Sequence, residues 1–239
     1  MERPLQTSAA DTFNEPSTDT SISSGPALEP FPEYSRQEVI ADLCIHITGL
    51  TFAVIGIPFL LVYGLRMDET SLYVSLPLYA VGLMAMLSFS AAYNLVNHPP
   101  AKEILRRFDH SAIFFMIAGS YGPFALSKIG GAWGIALFAF VWLLALIGTS
   151  VAFLVPRKAD KLTIVLCLLM GWSIVVAIQP LMRSVSLTVL ILLVVGGLIY
   201  SGGVALHMSH RIKYHNAMWH ACVLVAAICH YAAVMMAVS

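Results

Sequence analysis

The sequence predicts an all-α integral membrane protein, a bundle of seven transmembrane helices with a cytoplasmic N-terminus. Three observations predict it. Hydrophobic residues make up 59% of the 239 positions and charged residues 11%, against roughly 45–50% and about 25% in an ordinary soluble domain; mean hydropathy is +0.82. The apolar residues fall into seven stretches, each long enough for a hydrocarbon core that takes about 20 residues per helix. Lys and Arg gather in alternate connections between those stretches.

Residues 1–36 are rich in Ser, Thr, Pro and Glu and show no apolar periodicity. They cannot bury enough surface to fold alone and are expected to form a disordered cytoplasmic tail. No positive stretch leads into an apolar run there, so a signal peptide is not expected. Residues 37–239 form the membrane domain, with spans near 39–65, 71–96, 110–128, 131–154, 162–182, 184–206 and 216–238. The break between the third and fourth is marked by Lys128 and Gly130-Gly131, and that between the fifth and sixth by Gln179-Pro180 and Arg183. Backbone polar groups in lipid must be satisfied within their own segment, so each span is a helix.

Orientation follows from the cations. With the tail inside, the inner side receives Arg3, Arg36, Lys102, Arg106, Arg107, Arg157, Lys158, Lys161, Arg211 and Lys213. The outer side receives only Arg66, Lys128 and Arg183. Positive charge on short inner loops sets orientation, which places the C-terminus outside. The formal net charge is +0, so no nucleic-acid partner is expected; membrane lipids are. Cys44, Cys167, Cys222 and Cys229 lie in apolar stretches without paired spacing and read as small hydrophobes. Residues 216–239 contain no Lys, which excludes a retinal Schiff base. A proton relay is disfavoured, because no Asp or Glu follows Asp160.

The polar residues concentrate at the inner ends of the spans. Asp42 and His46 are one turn apart on the first helix, Ser90 and Asn94 on the second, and Asn216 and His220 on the seventh, since i and i+4 share a face. Asp109 and His110 open the third span. Ionisable groups at this depth are costly and are functional candidates, although each has a structural alternative: helix capping for Asp42 and Asp109, snorkelling for His46, interhelical hydrogen bonding for Ser90 and Asn94. His230 lies deeper, on another face, and reads as a packing residue. His98 and His215 read as loop histidines. Gly119, Gly122, Gly196-Gly197 and Gly202-Gly203 would let backbones approach closely.

These residues resemble the hemolysin III family of bacterial membrane proteins, related to the progestin and adipoQ receptors and more distantly to alkaline ceramidases. The resemblance rests on E38-V-I-A-D42-L-C-I-H46-I-T-G49, on R107-F-D109-H110-S-A-I-F-F-M-I-A-G119-S-Y121-G-P123-F124, and on M218-W219-H220-A-C-V-L with His230 after it. It covers everything after the tail and departs at Asp42, where Asn is usual. It implies a zinc ion near the cytoplasmic ends of the helices, in the bacterial inner membrane. Zinc would be held by one His on the second helix and two on the seventh, with the third-helix Asp supporting a metal-bound water. Ser90, Asp109 and His220 match that pattern, whereas Asn94 and Asn216 stand where two of the three His ligands belong. Zinc prefers imidazole and thiolate over a neutral amide oxygen, so a tight zinc centre on these positions is not expected. His46 or His110 could complete a site, with no spacing argument for either.

Two functional classes follow. The first is a hemolysin III-like membrane protein with a degenerate metal-type site, acting in membrane lipid homeostasis or binding a lipid-derived ligand. The second is a zinc-dependent lipid amide or ester hydrolase, with Asp109 as base or orienting group and Ser90 assisting. A pore or transport protein is a third.

Overall fold

The computed structural model describes residues 34–155, 160–209 and 212–238. Apart from residues 34–36, the expected tail lies outside them, as do Arg157, Lys158 and Arg211. The described residues form helices and no strand. Seven are long and apolar enough to cross a membrane: Arg36–Met67, Thr70–Leu95, Pro99–Ile129, Gly131–Leu154, Asp160–Ser184, Leu187–His207 and His215–Ala237, called here the first to the seventh helix. Their outer faces are exposed apolar side chains, such as Val54, Ile55, Val81 and Leu154. That is the surface expected of helices that meet lipid.

The first helix starts at a capping box. Ser35 Oγ accepts from the Glu38 backbone N–H at 3.4 Å, and Glu38 Oε2 accepts from the Ser35 N–H at 3.0 Å, so two otherwise orphaned donors are satisfied. Glu38 Oε1 also accepts from the Tyr214 N–H at 3.0 Å, which ties this end to the start of the seventh helix. Asn94 meets Asn216 in the same region, and Arg106 meets Asp160 at 3.0 Å. One end of the bundle therefore gathers the starts of the first, third, fifth and seventh helices and the end of the second.

The third helix corrects an expectation. It begins at Pro99, eleven residues before the expected start at 110, because Pro99 and Pro100 fill first-turn positions whose N–H groups would have no intrahelical partner. Asp109 thus lies nearly three turns inside the helix and does not cap it. His98 holds the extended backbone expected before a proline (φ −77°, ψ 112°). His215, expected in a loop, is the first residue of the seventh helix.

The second and third helices pack closely. An added Cβ at Gly119 would lie 2.8 Å from the Leu78 carbonyl oxygen, and one at Gly122 would lie 2.8 Å from Ser75 Cβ. Small residues are what allow such an approach. The third helix ends in a π-helical turn, Pro123–Ile129, closed by Gly130 and Gly131 at φ 62° and 56°, a conformation that favours glycine. The fifth helix is interrupted by a 3₁₀ segment, Ser173–Ala177. The hydroxyl of Tyr121 repairs it, accepting from the Ile174 N–H at 2.9 Å and donating to the Met170 carbonyl at 2.7 Å. A broken helix at membrane depth is tolerated where a neighbour supplies such bonds.

Candidate functional site

The candidate site is built around one carboxylate. Asp42, on the first helix, is buried. Its Oδ1 accepts from Nδ1 of His220 on the seventh helix at 2.5 Å, and its Oδ2 lies 3.3 Å from Nε2 of His46, one turn further along. Asn216 Nδ2 donates to Asp42 Oδ2 at 3.4 Å and to Asn94 Oδ1 at 3.2 Å, and Asn94 Nδ2 donates to the Ser90 carbonyl at 2.9 Å. The His46 and His220 rings lie 4.6 Å apart at their centroids. The first and seventh helices thus meet at Asp42, and the second joins them through Asn94 and Asn216. Because a carboxylate only accepts, it fixes His220 with a proton on Nδ1 and leaves the lone pair on Nε2.

Below this cluster lies a cavity of about 210 Å³. Its polar end is lined by His46, Ser90, Asp109 and His220, and its walls are apolar, with Met116, Ile117, Leu193 and Leu224 among them. Asp109 faces the histidines His110, His220 and His46. On the other side of the cluster a small cleft is lined by Tyr34, Glu38, Asp42, Lys102, Asn94 and Asn216. The Asp42–Asn216–Asn94 chain therefore separates a polar cleft from an apolar cavity, with His46 and His220 turned to the cavity.

Asn94, Asn216 and His220, the positions that the resemblance equates with metal ligands, do come together. The two asparagines, however, spend their amide groups on each other, on Asp42 and on the backbone. Asp42, His46 and His220 form a different group that could hold a metal ion: all three are buried and their ligand atoms lie within 4.8 Å of one another. Two imidazoles and a carboxylate suit zinc, and three protein donors leave a coordination position open. His46 Nε2 is buried and meets only Asp42 Oδ2, at 3.3 Å and off the hydrogen-bonding direction, so its lone pair is not spent on another group. These residues fit the metal that the resemblance implies. Spacing within the first helix pointed to Asp42 and His46 as a pair, but only the fold shows His220 across from them. His110 instead bonds the Arg106 carbonyl and faces Asp160.

Fold and site together define a seven-helix integral membrane protein with a buried Asp/His/His cluster at the head of an intramembrane cavity. The sequence pattern of haemolysin-III-related proteins matches residues 35–231. The chain belongs to the haemolysin-III family. It is 31% identical over 191 residues to the hemolysin-3 homolog of Bacillus subtilis, covering 80% of this chain and 90% of that protein. To hemolysin-3 of Bacillus cereus it is 30% identical over 188 residues, 79% of this chain and 86% of the relative. The human monocyte to macrophage differentiation factor is 31% identical over 165 residues, 66% of this chain and 67% of that one.

Proposed function

We propose that this protein binds an acyl-chain lipid in its cavity and acts in membrane lipid homeostasis, with the polar end of the site on the cytoplasmic side of a bacterial inner membrane. The observation that carries the reading is the cavity itself, mostly apolar along its walls, with its ionisable groups gathered where His46, Asp109 and His220 meet beside Ser90. An amphiphile fits that division: its chain gains by leaving no apolar wall empty, and its headgroup satisfies the polar end.

A second reading, hydrolysis of a lipid amide or ester, is favoured by one further observation, the Asp42/His46/His220 donor group. Those residues would hold the ion, which when bound polarises a carbonyl and lowers the pKa of water. Asp42 holds His220 in one tautomer, and Asn216 holds Asp42. Asp109 takes a proton from the attacking water and returns it to the leaving nitrogen or oxygen. The acyl bond breaks, and a carboxylic acid and an amine or alcohol result. Ser90 supplies a hydroxyl donor to the scissile carbonyl. The apolar walls keep bulk water from the chain.

Native mass spectrometry of the purified protein tests the binding reading. The wild type is expected to retain one acyl lipid. Ser120→Trp, which fills the cavity wall, reduces occupancy by about tenfold, the effect of roughly 1.4 kcal/mol. Val54→Trp, on the lipid-facing surface, leaves it unchanged. Equal occupancy in all three contradicts the reading.

A further inference from the structure

The cavity wall is uneven. On the first, second, third and seventh helices the described residues that line it are buried or half-buried. On the fifth and sixth helices, Gly171, Trp172, Val175, Ile178 and Val194 line the cavity and are also exposed on the outer surface. Val175 is 52% exposed and Val194 48%. A side chain that faces both a cavity and the outside stands in a thin wall, so the interior comes nearest to lipid along this seam. Gly171 leaves a gap in it, since an added Cβ there would meet nothing within 4 Å.

Trp172 stands beside the gap, at the middle of the 25-residue span Asp160–Ser184. Tryptophan is enriched at the membrane interfaces, where water answers its indole N–H. At mid-span only protein can answer, and Ser201 of the sixth helix does so. Trp172 Nε1 donates to Ser201 Oγ at 3.1 Å, and Ser201 in turn donates to the Gly197 carbonyl at 2.8 Å. The edge of the indole rests against Gly197, where an added Cβ would lie 3.5 Å from it. One ring and one hydrogen bond therefore bridge the seam.

The backbone that carries Trp172 is jointed. The 3₁₀ segment Ser173–Ala177 begins at the next residue, and the Tyr121 hydroxyl, not a regular helical ladder, holds Met170 and Ile174 in register. A mid-helix 3₁₀ stretch is a common hinge. Bending there lifts the indole off Ser201, while the Arg106–Asp160 ion pair at 3.0 Å keeps the start of the fifth helix in place.

We propose that Trp172 is the gate of a lateral entrance between the fifth and sixth helices, through which an acyl lipid passes from the bilayer into the cavity, and that Ser201 holds it shut. The entrance faces hydrocarbon, so it suits the chain of an amphiphile and not a water-soluble ligand. This inference rests on the lipid reading and adds the route by which the lipid arrives.

The test times exchange on the full chain in detergent micelles. Capture and release of deuterated stearoyl ethanolamide, in competition with the unlabelled amide, are followed by native mass spectrometry. Ser201→Ala and Trp172→Phe each remove the hydrogen bond and are expected to speed both capture and release by about threefold, the effect of one hydrogen bond between membrane helices. Trp172→Ala also removes the ring and is expected to speed both by about tenfold or more. Because a gate lowers one barrier crossed in both directions, the affinity stays within about twofold of wild type. Leu169→Ala, a lipid-facing position on the same helix, keeps the wild-type rates. Wild-type rates in either Ser201→Ala or Trp172→Phe overturn the inference and leave the lipid reading intact, as does an acceleration that Leu169→Ala shares. Faster release without faster capture also overturns it, since Trp172 is then only a contact of the bound chain. A wild type that captures no amide overturns the lipid reading and this inference with it. Should Trp172→Ala fail to fold, Trp172→Phe and Ser201→Ala still decide.

Discussion

Asp42→Ala is expected to destabilise the bundle more than any other single substitution at the site, by about 3 kcal/mol or more, seen as a lowered melting temperature in detergent. Among the described residues the carboxylate is the group that polar contacts join to both His220 and His46, and it also anchors Asn216. Removing one partner of a buried polar cluster leaves the others desolvated and unpaired, which costs more than the bond itself. Asp42→Asn is the discriminating companion. An Asn Oδ1 can still accept from His220 Nδ1, so the loss falls to about 1 kcal/mol, the charge-assisted part of the interaction. Equal melting temperatures for the Ala and Asn variants would show that Asp42 does not organise the cluster.

Asn94→His combined with Asn216→His carries the largest expected change in metal affinity. The two amides already meet at 3.2 Å, and Asn216 reaches Asp42, so imidazoles at both positions converge beside His220. The parent offers one carboxylate and two imidazoles, one of which is hydrogen-bonded to the carboxylate. The double variant adds two strong nitrogen donors, a larger change than the 10–100-fold that an outer-shell partner contributes. Zinc measured by plasma mass spectrometry should therefore survive a chelator treatment that empties the parent. A parent that keeps a full equivalent through the same treatment would mean that Asp42, His46 and His220 already make a tight site and that the asparagines cost nothing.

Much of the fold was legible because lipid imposes a simple rule: every span must be apolar and internally hydrogen-bonded. Seven stretches met it, and the break at Gly130-Gly131 falls where the sequence placed it. The start of the third helix was less legible. Residues 99–109 carry five charged side chains, so hydropathy alone stops at 110, whereas the Pro99-Pro100 pair was the better signal. The 3₁₀ interruption at Ser173–Ala177 has no Gly or Pro within it; it depends on Tyr121, 53 residues from Ile174 in sequence. The site divided in the same manner. Pairs one turn apart, such as Asp42 with His46 and Asn216 with His220, could be read from spacing. That they share one carboxylate could not, since it depends on how the first and seventh helices are rotated against each other.

The central claim is that a lipid lies in the interior with its headgroup at the Asp42–His46–His220 end. A photoreactive acyl amide with a diazirine next to its headgroup measures this directly by mass spectrometry of the labelled peptides. The label should appear on the peptides that carry Met86 to Ser90, Asp109 to Ile113 and Trp219 to Leu224, which line the cavity near that end, and should be competed by unlabelled lipid. Labelling confined to lipid-facing positions such as Val54, Ile55 and Val81 would contradict the account.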